Sequence, residues 1–145
     1  MSSLSWQTIQ AIATAYAVIT TGNGYFTNLG NNVVTNRDEA DDSAAQLTVA
    51  LQRARWESMG SGLLLHTFEI VAEGFVPTTS GDQQAANDAL DDLRRVFRDS
   101  VDLVLSGGAT AEVESISGEI FPRAGGAAGM VAQVLLVANV REVLS

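Results

Sequence analysis

The chain contains one histidine, His66, set among apolar neighbours in Leu63-Leu64-Leu65-His66-Thr67-Phe68. Acid–base catalysis by histidine needs a nucleophile or an orienting carboxylate within reach, and a metal site needs further N or S ligands. No recognisable spacing in the sequence supplies either, so His66 reads as a structural residue at a sheet edge or interface. Asp38, Glu39, Asp41 and Asp42 cluster oxygen donors much as a calcium loop does. They lack the D-x-[DN]-x-[DN]-G order and the later Glu that complete such a loop, so a solvated connection fits better. Asp91 and Asp92 invite comparison with paired catalytic carboxylates. On a helix, however, adjacent positions point about 100° apart, and these two read as members of a polar face beside arginines. Gly107-Gly108 and Gly125-Gly126 fit neither the Walker nor the dinucleotide-binding glycine pattern and read as turns. Arg94, Arg95 and Arg98 share their predicted helix with several aspartates, which weakens any nucleic-acid reading. These residues predict neither an enzyme nor a cofactor site.

At 145 residues the chain predicts a single domain over 1–145. It has no cysteine and therefore no disulfide or thiolate metal site. All eight basic residues are arginine, a bias that a preference for GC-rich codons explains. The formal charge of −9 opposes coating of nucleic acid or of an anionic membrane. Met1 to Trp6 has no basic start or sustained apolar run, which predicts no signal peptide and a soluble product that stays inside the cell that makes it unless an assembly carries it out. The apolar runs fall well short of the roughly 20 residues a spanning helix needs.

Ile9, Ile12, Ala13 and Tyr16 share one helical face, with Ser5 as candidate N-cap and Gly22-Asn23-Gly24 as terminator. The stretch from Tyr25 to Val34 reads as a short strand or extended arm. Leu47–Glu57 and Leu63–Val76 alternate as strands and, with a glycine-containing link, predict an antiparallel hairpin. Ala86, Leu90, Leu93, Phe97, Val101 and Val104 form one stripe and predict a long helix over Asp82–Leu105, stopped by Gly107-Gly108. Ala111–Phe121 and Met130–Glu142 predict two closing strands. The last is apolar on both faces, which places it centrally or under a partner. The sum is an α+β fold, an antiparallel or mixed β-sheet of about four to five strands packed against an N-terminal helix and a long central helix.

Four passages in this order resemble the tail terminator (tail completion) proteins of tailed bacteriophages. They are Ile19-Thr20-Thr21-Gly22-Asn23-Gly24-Tyr25-Phe26-Thr27-Asn28-Leu29-Gly30 with Val33-Val34, Phe68 to Pro77, Ala86 to Arg95, and Ile120-Phe121-Pro122-Arg123-Ala124-Gly125-Gly126 with the strand ending Val140-Arg141-Glu142. The passages span nearly the whole chain. Two departures stand out: Ser43-Ala44-Ala45-Gln46 lacks the proline that often leads into the first hairpin strand, and the turn after Arg123 lacks an acid. The resemblance implies a structural virion protein, made in the host bacterial cytoplasm, with no enzymatic activity and no cofactor. It implies a homo-hexameric ring at the head-proximal end of the tail tube that ends tube polymerisation. The ring's partners would be the tail tube protein and a neck or connector protein, with DNA passing through the lumen unbound and no membrane involved. Asp38, Glu39, Asp41, Asp42 and Arg123 are the candidate assembly surface. Alternatives are a neck or head-closure protein at the same junction and a small cytoplasmic binding protein.

Overall fold

The computed structural model describes residues 2–35, 45–77, 83–98, 102–123 and 129–144. The first helix, α1 (Leu4–Tyr16), is capped by Ser3, whose extended backbone lets its Oγ accept the Trp6 amide at 3.2 Å. The cap is thus two residues earlier than Ser5. The helix buries Gln7, Thr8, Ile9, Ile12 and Tyr16. It also ends earlier than the glycines suggest. The chain turns after Tyr16 so that Ile19 enters the core, fully buried, and Gly24 closes the later 3-10 turn of Thr21–Asn23.

Six strands follow in one sheet: β1 (Val33–Val34), β2 (Gln46–Ser58), β3 (Leu63–Pro77), β4 (Asp102–Val104), β5 (Thr110–Pro122) and β6 (Gly129–Val143). Their order is β1-β2-β3-β6-β5-β4. All neighbours are antiparallel except β1 and β2, which pair in parallel at Val33↔Leu47. The expected β2–β3 hairpin is present, closed by Met59 N–H donating to Leu63 O at 2.8 Å. β6 is flanked on both sides and so is an interior strand; the helices cover one of its apolar faces, and Leu135 and Val137 on the other stay half-buried.

The expected fold class needs correction. The sheet has six strands rather than four or five, it is curled into a half-barrel, and the molecule is mostly sheet. Among the described residues there is no long central helix: the second helix, α2, covers only Gln83–Arg95. The apolar stripe does continue to Phe97, which is 4 % exposed, but in a turn beyond the helix. Farther on, Asp102–Val104 is strand, paired to Thr110–Glu112, and Val104 is 76 % exposed. Two β-branched or apolar residues at helical spacing are too few to separate helix from strand. Pairing with β5 decides the matter. Gly107-Gly108 accordingly makes a hairpin turn rather than a helix stop, Gly108 lying at φ +96° and donating to Leu105 O at 2.9 Å.

Register explains which face is inside. Leu47 and Val49 of β2, Phe68, Ile70 and Ala72 of β3, Ala132 to Val140 of β6 in alternation, and Ala111 and Val113 of β5 line one face and form a single core with both helices. α1 touches β1 and β2 at one side of the sheet and β4 at the other, while α2 lies over β3, β6 and β5. The sheet therefore wraps around its helices. Bulges between Leu51 and Arg53 and between Ser115 and Ser117 supply local bend in the two strands beside the short edges.

At the core centre Tyr16 meets Phe97 edge-on, ring centroids 5.2 Å apart at 85°. Phe97→Ala should cost about 3–5 kcal/mol; a loss under about 1 kcal/mol in urea denaturation would contradict this packing. The Tyr16 hydroxyl is buried with no hydrogen-bond partner among the described residues, and burial pushes its phenol well above the ordinary range. A raised folded-state value means this stability is fully present below the unfolded value near pH 10 and is lost as pH rises beyond it. Stability should then fall by up to about 1.4 kcal/mol per pH unit above pH 10. Tyr16→Phe should flatten that slope without lowering stability at neutral pH. Equal slopes for the two proteins, measured by urea titration between pH 8 and 11, would remove Tyr16 as the cause.

Candidate assembly surface

The passages that carry the resemblance meet in pairs. Asp92 of α2 is fully buried, and its carboxylate accepts from the Phe26 amide (3.1 Å), the Thr27 amide (2.8 Å) and the Thr27 hydroxyl (2.7 Å). Arg95 Nη1 stands 3.6 Å from the same carboxylate and donates to Gly24 O at 3.3 Å, its guanidinium 4.7 Å from the Tyr25 ring centre. Asp92 is therefore not part of a solvated face as its position beside Asp91 suggests. It fastens the Gly24–Thr27 arm to the helix. Asp91 does stay outside, paired to Arg94 at 2.6 Å. One sequence signal points to Asp92: it lies three residues after Ala89 and next to Leu93, on the flank of the apolar stripe.

A second pair of passages meets at the end of β3. The Arg123 guanidinium lies 4.5 Å from the Phe75 ring centre, and its amide donates to Gly129 O at 3.0 Å. A Cβ at Gly129 would fall 2.4 Å from Phe75, so the ring takes space that only glycine leaves. Arg123 thus stacks on the strand end. Asp38, Glu39, Asp41 and Asp42, the rest of the candidate surface, lie outside the described residues.

His66 sits in the interior strand β3, not in an edge strand, with its side chain 17 % exposed. Its Nε2 is 3.0 Å from Glu142 Oε1, and its ring is tilted against Phe68 at 5.6 Å. The partner is a carboxylate, and the cross-strand neighbours, Trp56 and Val140, carry no nucleophilic group. Among the described residues, no three His, Cys, Asp or Glu side chains converge to hold a metal ion, and no helix is long and apolar enough to cross a membrane.

The sheet face away from the helices is built differently. Thr67 donates to Asn139 at 3.1 Å, Gln133 to Glu73 at 2.8 Å, and Arg53 Nε stands 3.4 Å from Glu69 Oε2, near enough for an ion pair but not aligned as a hydrogen bond. Between them lie half-buried Val71, Leu135 and Val137. Charged residues alternate along its flanks: Arg53, Arg55 and Glu57 on β2, Glu112 and Glu114 on β5. That period of two is legible in the sequence once the strands are assigned.

The geometry defines a sheet-dominated half-barrel wrapped around two helices. No family model matches the chain, and no curated protein does. One similar solved structure, whose name states no activity, aligns over 96 % of this chain and 96 % of its own, with a TM-score of 0.54 and 17 % identity. At that identity the likeness concerns the fold alone.

Asp92→Ala would leave two backbone donors and the Thr27 hydroxyl without their acceptor. The expected cost is about 3–5 kcal/mol, with faster amide exchange at Phe26 and Thr27. Unchanged exchange there would show that the arm is held by other contacts.

Proposed function

We propose that this chain is a tail terminator subunit, closing with further copies into a hexameric ring on the head-proximal end of a phage tail tube and presenting its far side to a neck or connector protein. The observation that carries the reading is the pair of long sheet edges left open. Each terminal strand is only two or three residues long, so most of β2 and of β5 has no outer neighbour among the described residues. Open edges are a liability in a monomer and are removed by closure into an assembly. The paired passages that carry the resemblance, joined through Asp92 and through Arg123 with Phe75, support the same reading. Net charge does as well: each copy adds −9, and an acidic lumen lets DNA pass without adhering.

A neck or head-closure protein is the second reading, and the curled sheet favours it. Such proteins resemble small β-barrels, and a long central helix would have set this chain apart from them. Among the described residues that helix is only the 13 residues of α2. The two readings differ in what the protein does to a growing tube. Mixed with tail tubes, a terminator caps one end and stops elongation, and the purified protein alone can remain monomeric until the tube end templates the ring. Electron microscopy of tubes grown with the protein in excess decides: tubes elongating at their normal rate would exclude the terminator and leave the neck reading.

A further inference from the structure

We infer that copies of this chain join head-to-tail by edge addition, the open half of β2 in one copy pairing antiparallel with the open half of β5 in the next, so that Arg53 and Arg55 meet Glu114 and Glu119. The inference rests on the ring reading and names its contact. Among the described residues, β1 covers only Leu47 and Thr48 of β2, and β4 covers only Thr110 to Glu112 of β5. This leaves Val49–Ser58 and Val113–Pro122 open, two stretches of equal length.

Charge matches across these edges. The register places Arg53 beside Glu69 and Val137, and Arg55 in one row with Thr67, Asn139 and Glu112, all on the helix-free face. Glu114, opposite Val137, and Glu119, opposite Gln133, occupy that same face. Edge addition continues a sheet without exchanging its faces, so Arg53 and Arg55, with Glu57 beyond them toward the β2–β3 turn, come against an acidic flank. Arg55, Glu112, Glu114 and Glu119 are exposed and have no ion-pair partner among the described residues, and Arg53 has only the loose Glu69 contact. Apolar residues complete both sides: Trp56 is 69 % exposed and Leu51 39 % at one edge, and Ile116 is 57 % exposed at the other. A tryptophan left this open is a typical anchor of an interface.

Direction and stagger are compatible with closure. Three successive antiparallel pairings set β2 antiparallel to β5. Copies related by rotation alone therefore present each other with the partner that prolongs the sheet. The open half of β2 lies toward the β2–β3 turn and that of β5 toward the opposite end, so neighbours are displaced along the strands. Barrels meet the same requirement with strands tilted by about 35–45°. The contact is heterologous and makes a ring when its rotation closes.

The absence of cysteine allows a direct test. Arg55→Cys and Glu114→Cys proteins, prepared separately, mixed and oxidised, should give a mixed disulfide in at least tenfold excess over an Asn87→Cys and Glu114→Cys mixture. By native mass spectrometry at protein concentrations high enough for parent copies to pair without a tube, Arg53→Gln with Arg55→Glu, or Glu114→Arg with Glu119→Arg, should weaken association at least tenfold. The four changes together should restore it to within about threefold, with melting curves confirming that each variant folds. Charge-altered variants that associate like the parent, or cross-linking no better than the Asn87 control, would overturn the interface. If those variants cap tail tubes as well as the parent does, this contact is wrong and the terminator reading stands. If the contact forms but tubes keep growing, the interface stands and that reading falls.

Discussion

A single buried carboxylate ties the two halves of this molecule together. Asp92 takes three hydrogen bonds from Phe26 and Thr27, more than sixty residues earlier in the chain. A charge withdrawn from water is tolerated only where donors replace its hydration. The arm must therefore adopt the one course that aims two amides and a hydroxyl at α2. That course carries the chain through Leu29, 1 % exposed, into β1 and so to the first edge of the sheet. Helix α2 is in turn located by Leu93 and Ala89 against the sheet. Loss of the carboxylate would free the arm and, with it, the only strand covering the start of β2 among the described residues.

The curl of the sheet follows from how little helix there is to cover it. Two helices of 13 residues each cannot cap a flat six-stranded sheet on one face. Curling lets α1 serve both ends at once, reaching β2 and β4 together. The bulges in β2 and β5 fall in the strands that must turn most sharply to meet it. The opposite, outward face retains valines and leucines fenced by cross-strand polar pairs, an arrangement suited to half-burial.

Much of this was legible in the residues. Alternation located β2, β3, β5 and β6 to within one or two positions, because each has enough alternating residues to exclude helical spacing. It failed where a signal was short. Phe97, Val101 and Val104 extend the helical stripe by chance of spacing, and only the partner strand β5 distinguishes Asp102–Val104 from another turn of helix. Ser3 and Ser5 are equally good caps on composition, and the backbone decides between them. The candidate surface was the least legible. Only its place on the flank of the apolar stripe separates Asp92 from its half-exposed neighbour Asp91, and its burial depends on an arm distant in sequence. The charged flanks of β2 and β5 acquire meaning only when register places both on one face.

Those flanks also bear on how a strongly acidic chain can assemble at all. Copies carrying −9 each repel at long range, and that repulsion is felt over about a Debye length, near 8 Å at physiological salt. At low concentration this repulsion opposes pairing of free copies through their open edges. Short-range complementarity between Arg53, Arg55 and the β5 glutamates acts only once edges are already adjacent. A surface that holds several copies side by side supplies that adjacency by raising their effective concentration. On the ring reading, a tube end is such a surface, and the same charge that prevents indiscriminate edge pairing in solution restricts assembly to the place where the ring is needed.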